Sequence, residues 1–184
     1  MTDDSVWARC LQMDAGMLTL QTFQASKLRD LMSWFPDRIS CQTWGGLQFR
    51  YPFTEHTFRQ DAKLQELASW AMVSDDGTFC AFGQYYARLG RCHLGRLAVA
   101  PRLRGRGIGS TLVRELAQRG LNDLGVDSCS LFVLPGNERA ARLYSRLGFN
   151  AQPYPEPGPL VDVCIYMVAP GLAFGGRPAG NREP

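Results

Sequence analysis

The strongest chemical signal in the chain is the stretch Arg102–Leu112, RLRGRGIGSTL, with three arginines and three glycines in its first eight residues. It follows a strand-like run that ends at Pro101 and precedes a helical pattern that starts near Gly107. A helix N-terminus offers unpaired N–H groups and a partial positive charge, and flanking glycines let successive amides converge on an anion. Such a loop suits a phosphate or pyrophosphate. Two common phosphate loops do not fit. No Lys completes a G-x-x-x-x-G-K-[ST] pattern, and Gly105, Gly107 and Ser110 break G-x-G-x-x-G. The pattern present is R-x-x-G-x-G, Arg104 to Gly109, which taken alone also fits a glycine-rich turn with solvated arginines.

The surroundings favour an anionic partner. The net charge is +3, but eleven arginines face four acids between Arg88 and Arg146, a local balance of +7, leaving −4 for the rest. The chain is 45% hydrophobic and 20% charged, as expected of one globular domain. No stacking motif of alternating aromatic and basic residues points to nucleic acid, and no apolar run is long enough to span a bilayer, so neither partner is expected. The acidic N-terminus lacks the order of a signal peptide. Six cysteines make no C-x-x-C, and with only two histidines no metal site is expected. Reduced thiols fit a cytoplasmic protein.

Hydrophobic periodicity supplies the elements that must hold the loop. Strands are expected at 17–23, 67–74, 78–89, 91–101, 128–135 and 160–169, with a short one after Phe149. Helices are expected at 25–35, 54–67, 108–124 and 137–148, capped by Thr54 and Asn137 and stopped by Pro36, Gly125 and Gly148. Residues 41–53 read as an aromatic-rich loop. Residues 1–16 read as an N-terminal extension, 17–169 as the domain and 170–184 as a disordered tail. This order predicts an α/β fold of the α+β type, a mixed and mostly antiparallel sheet with helices on both faces.

LGRLAVAPRLRGRGIGSTLVREL followed by LFVLPGNERAARLYSRLGF resembles the GNAT superfamily of N-acyltransferases. The shared positions are Leu97, Ala98, Val99, Pro101, Arg104, Gly107, Gly109, Asn137, Ala140, Leu143, Tyr144, Leu147, Gly148 and Phe149. The nearest likeness is to enzymes that acetylate ribosomal-protein N-termini. The resemblance implies acetyl-CoA as donor, an amine-bearing acceptor, and a fourth strand that splays from the fifth. It places the pyrophosphate on Arg104, Gly105, Arg106, Gly107, Ile108, Gly109 and Ser110, the pantetheine arm along Leu97, Ala98 and Val99, and Asn137 beside that arm. Arg102, Arg106 and Arg142 are further candidates for CoA phosphates.

The reaction so implied is aminolysis of a thioester, which requires no covalent enzyme intermediate. A backbone N–H such as that of Val99 would stabilise the oxyanion. Tyr144 stands at the family's general-acid position, although its helical stripe also suits a core aromatic. The family's strand Glu is replaced by Phe132, so His93, four residues before Leu97, is the candidate base. Trp44, Phe49 and Tyr51 are candidate acceptor-binding residues, and Glu55, Asp75 and Asp76 are candidates to attract a cationic amine. A monomer or homodimer is expected. A non-catalytic acyl-CoA-binding module is the alternative.

Overall fold

The computed structural model describes residues 17–157 and 163–175. Seven strands form one sheet: β1 (Thr19–Thr22), β2 (Ala68–Val73), β3 (Phe79–Arg88), β4 (Arg91–Val99), β5 (Ser128–Val133), β6 (Asn150–Ala151) and β7 (Ile165–Pro170). Their order is β1-β2-β3-β4-β5-β7-β6. Every pairing is antiparallel except β4 with β5, which is parallel and spans only Cys92↔Cys129, His93↔Ser130 and Leu94↔Leu131. Beyond Leu94 and Leu131 the two strands continue without pairing, to Val99 and Val133. The mixed sheet and the splay inferred from the sequence are both present.

Five helices cover the two faces: α1 (Leu28–Ser33), α2 (Arg38–Gly45), α3 (Glu55–Asp61), α4 (Ile108–Leu124) and α5 (Glu138–Arg146). Alternation along the strands divides the core accordingly. Cys92, Leu94, Cys129, Leu131 and Val133 face α4, where Leu112, Val113, Leu116 and Leu121 form one apolar stripe. Ala71, Phe82 and Val73 face the other side and pack against Leu28, Leu31, Cys41 and Phe58 of α1–α3. The half-buried ring of Trp44 packs against this second core, with centroids 4.3 Å from Phe35 and 5.5 Å from Phe58.

Helix α4 sits close to the sheet because Gly120 has no side chain. A Cβ there would stand 2.3 Å from Cys92 Sγ and 3.0 Å from the Tyr85 ring. The C-terminal stop at Gly125, in the left-handed region at φ 63°, ends α4 where the sequence indicated.

Two segments differ from the sequence reading. Residues 41–53 were expected to be loop, yet Arg38–Gly45 is helical. Asp37 caps it, its side chain accepting from the Ser40 N–H at 2.7 Å while Ser40 Oγ accepts from the Asp37 N–H. The expected tail begins with structure: β7 runs to Pro170, and Gly171–Phe174 is a 3-10 turn whose Phe174 is buried against Phe149. The extension 1–16 and residues 176–184 lie outside the described residues.

Candidate active site

Where β4 parts from β5, its backbone lacks a partner on one side. The Ala100 N–H donates to the Cys80 carbonyl of β3 at 2.9 Å. Successive residues of a strand point their N–H and C=O in opposite directions, so those of Val99 and Leu97 point away from β3, into the gap. A bulge precedes them. The pairing shifts between Phe82 and Gln84, and Arg96 is left-handed at φ 49°. Arg96 is fixed there by three contacts. Its Nη1 donates to Gln84 Oε1 at 3.0 Å, its Nη2 donates to the Asp61 carbonyl at 3.0 Å, and its own carbonyl accepts from Trp44 Nε1 at 2.7 Å.

The gap opens into a cleft of about 580 Å³. Leu97, Ala98 and Val99 form its edge, the loop and the start of α4 close one end, and α5 forms one wall through Asn137, Arg139, Ala140, Leu143, Tyr144 and Arg146. The opposite wall is Phe35 with Ser40, Thr43 and Trp44 of α2. Gly105 and Gly107 hold φ 85° and 83°, a region that L side chains avoid, and this turns the loop's backbone toward the cleft. Arg104, Gly105, Gly107, Ile108, Gly109 and Ser110 all line it. Arg106 does not, and neither do Arg102 or Arg142; Arg142 is paired with Glu138 at 2.8 Å. Those three are corrected as phosphate candidates. Arg139, one of whose terminal nitrogens lies 3.5 Å from where a Gly105 Cβ would stand, and Arg146 take their place on the wall. Sequence reasoning passed over both, although their seven-residue spacing puts them on one helix face.

Tyr144 lines the cleft with 9% of its surface exposed, and burial alone pushes its phenol up to about 12. The phenol is therefore fully protonated at neutral pH. The Asn137 side chain caps α5 by accepting from the Ala140 N–H at 3.3 Å.

His93 is a correction. It is 2% exposed and absent from the cleft lining, its Nδ1 lies 2.9 Å from Ser130 Oγ, and its ring packs between Tyr86 and Phe132. Burial, with the Arg88 charge adding to it, lowers its pKa to about 3, so the imidazole is neutral and a very weak base. Two acceptor candidates are also corrected. Phe49 is buried against Trp44 and Phe58, and Tyr51 lines a separate, smaller hollow while donating its hydroxyl to the Pro36 carbonyl. Trp44 alone of the three borders the cleft. The acids named for a cationic amine are engaged elsewhere: Glu55 with Arg29, Asp75 with the Met17 N–H, and Asp76 within its own turn. Thr43 falls in the segment expected as loop, while Ser40 and Phe35 lie before it and belong to no motif that singles them out.

A splayed parallel pair beside a glycine-rich anion loop and a cleft-lining phenol defines an acyl-CoA-dependent transferase. The model of the acetyltransferase (GNAT) family matches residues 31–149, and the chain belongs to that family. It is an N-acetyltransferase with acetyl-CoA as the acetyl donor. Solved structures of the same fold include AAC(6')-Ib in complex with ribostamycin and coenzyme A, 25% identical, with a TM-score of 0.68 over 89% of this chain and 98% of that one. Another is spermidine N-acetyltransferase from Vibrio cholerae in complex with CoA and spermine, 14% identical, with a TM-score of 0.66 over 86% and 98%.

Proposed function

We propose that the acceptor amine attacks the thioester directly in the gap between β4 and β5, without a covalent enzyme intermediate. The amine nitrogen bonds to the carbonyl carbon, and the carbonyl electrons move to oxygen. Collapse then breaks the C–S bond. The observation that carries this reading is the pair of amides at Leu97 and Val99, which face the gap and are placed to donate to pantetheine and to the oxyanion. Arg104, Gly105 and Gly107 to Ser110 would hold the pyrophosphate, joined by Arg139 and Arg146, with Asn137 at the pantetheine arm.

Tyr144 serves as the general acid. A phenol raised to about 12 donates a hydrogen bond to the departing sulfur without releasing its proton to solvent. Tyr144 passes its proton to the thiolate as the C–S bond breaks and is reprotonated, through water, by the proton that the attacking nitrogen loses, so thiol and amide form with no net change in protons. Among the described residues, no His, Asp or Glu lines the cleft, so the amine gives its proton to water. The descriptions of the two structures named above carry spermidine, spermine and ribostamycin; for this chain they support a small-molecule or peptide amine. Free thiols at Cys41, Cys80, Cys92, Cys129 and Cys164 support a cytoplasmic setting.

Release of CoA thiol from acetyl-CoA, followed across a panel of primary amines, tests the assignment. Amine-dependent release is expected. Tight CoA binding with no turnover on any amine would instead identify a non-catalytic acyl-CoA-binding module.

A further inference from the structure

The sheet face opposite α4 carries a second set of polar groups beside the point where β4 and β5 part. The guanidinium of Arg88 lies over the rings of Phe132 and Tyr154, 5.0 and 5.5 Å from their centroids. Its Nε donates to the Tyr154 hydroxyl at 3.0 Å and its Nη1 to the Tyr86 hydroxyl at 3.5 Å. All of these partners are neutral. Among the described residues Arg88 joins no ion pair; the acids engaged in ion pairs are Glu55, Asp61, Glu66, Asp123 and Glu138, each with another base. The exposed Glu156 reaches only the Tyr154 hydroxyl, at 3.2 Å.

A second, independent observation comes from β7. Tyr166 packs its ring against the same Phe132 and Tyr154, at 5.4 and 5.1 Å. It is 3% exposed, and its hydroxyl is buried without a hydrogen-bond partner among the described residues. A buried phenol left unpaired is costly and marks a place where a partner is expected. Among the described residues the aromatic floor thus combines a cation without a counter-ion and an unpaired donor. His93, neutral within the same floor, adds no charge.

The position relates this floor to the chemistry. Leu94 pairs with Leu131, so Phe132 is level with Gly95, two residues before Leu97. Phe132 and Leu97 thus stand on the two strands just beyond the last pair that joins them. The cleft itself holds Arg104, Arg139 and Arg146 and, among the described residues, no carboxylate. A polycation would meet repulsion at both places.

We propose that Arg88, on its floor of Phe132, Tyr154 and Tyr166, is an acceptor subsite for a carboxylate, and that the acceptor is a short amino-carboxylate of about dipeptide length. This rests on the N-acetyltransferase reading. Extended chain spans at most about 3.6 Å per residue, so a dipeptide with its amine at Leu97 would carry its carboxylate about 7 Å away, toward the Arg88 floor. The guanidinium would grip it with the N–H donors that the two phenols leave free.

The test compares alanyl-phenylalanine, its C-terminal amide and spermidine as acceptors, at a pH above the amine pKa of both peptides so that their nucleophiles are equally neutral. The free dipeptide is expected to exceed its amide by about 10-fold in kcat/KM, the contribution of one charge-assisted contact, with spermidine poorest. Arg88→Gln should erase that preference by raising KM for the dipeptide alone, leaving KM for acetyl-CoA unchanged. Tyr166→Phe removes a hydroxyl that has no partner, so it keeps the fold and should weaken the dipeptide severalfold. Calorimetric titration of N-acetyl-alanyl-phenylalanine into the CoA complex reads the subsite apart from turnover. Binding weakened about 10-fold by Arg88→Gln supports it even where no amine is acetylated, an outcome that would sink the catalytic reading alone. Equal use of dipeptide and amide, a preference for spermidine, or binding indifferent to Arg88→Gln overturns the proposal.

Discussion

The side chain of Arg104 turns back on the strand it follows: its Nε donates to the Val99 carbonyl at 3.2 Å. That carbonyl belongs to the unpaired edge of β4, so the arginine covers a backbone acceptor in the gap while its charge borders the cleft. Arg104→Ala should therefore weaken CoA binding. A charge-assisted contact is worth about 1.5–3 kcal/mol, so a loss of about 10-fold or more is expected. Calorimetry at low and high salt checks it. The gap between wild type and variant should narrow as ionic strength rises, because this contact is solvent-exposed and screened. A salt-independent difference would point to the Val99 contact rather than to phosphate.

Tyr144→Phe keeps the ring and removes the donor. We expect kcat to fall by about 100-fold with the Kd for CoA unchanged, since the hydroxyl acts on sulfur only as charge develops. Single-turnover measurements locate the loss in the chemical step. Unchanged kcat would remove Tyr144 from the mechanism.

His93 makes the opposite prediction. Its folded-state pKa of about 3 lies below the unfolded value near 6.5, so the unfolded chain takes up a proton first as pH falls. The neutral imidazole thus favours the folded state fully above about pH 6.5, and this contribution is lost progressively from there down to about pH 3. At pH 5 the loss is about 2 kcal/mol. Urea melts of wild type and His93→Gln at pH 5 and pH 8 measure it; wild type should lose more stability on acidification than the variant. The pH–rate profile near neutrality should be the same for both, which distinguishes a packed histidine from a base.

Gly107→Ala tests the loop's backbone. Among the described residues, no atom outside its two chain neighbours lies within 4 Å of the added methyl, so any effect comes from holding φ 83° with a Cβ. A cost of about 1–2 kcal/mol is expected. It should appear as reduced thermal stability and as weaker CoA binding, because relaxing the strain moves the loop amides. Stability lost with CoA affinity intact would mean that these amides do not hold the donor.

The central and later parts of the chain were legible because each signal is local. The strand ending at Pro101, the glycines of the loop, Gly125 as a stop and Asn137 as a cap all act within a few residues of themselves. Helix α2 was not legible in that way. Its inward side chains are Cys41 and Trp44, too few to make a periodic stripe, and the glycines at 45 and 46 suggested a loop. The Asp37–Ser40 capping box was the available signal. His93 failed for another reason. Spacing places it on the correct strand, but only the packing of Tyr86 and Phe132 from neighbouring strands shows that it is sealed in.

The hydrogen bond from Trp44 Nε1 to the Arg96 carbonyl joins two parts of the molecule that serve different substrates. Trp44 belongs to the helix that walls the cleft opposite α5, and Arg96 immediately precedes Leu97, whose amide is proposed to meet the donor. A molecule pressing on that helix therefore pulls directly on the peptide unit that sets the aim of the Leu97 N–H. Recognition on one side and alignment on the other share a single mechanical link. A poorly fitting amine would be penalised in turnover as well as in residence, because the amide it displaces is one of the two proposed to meet the donor.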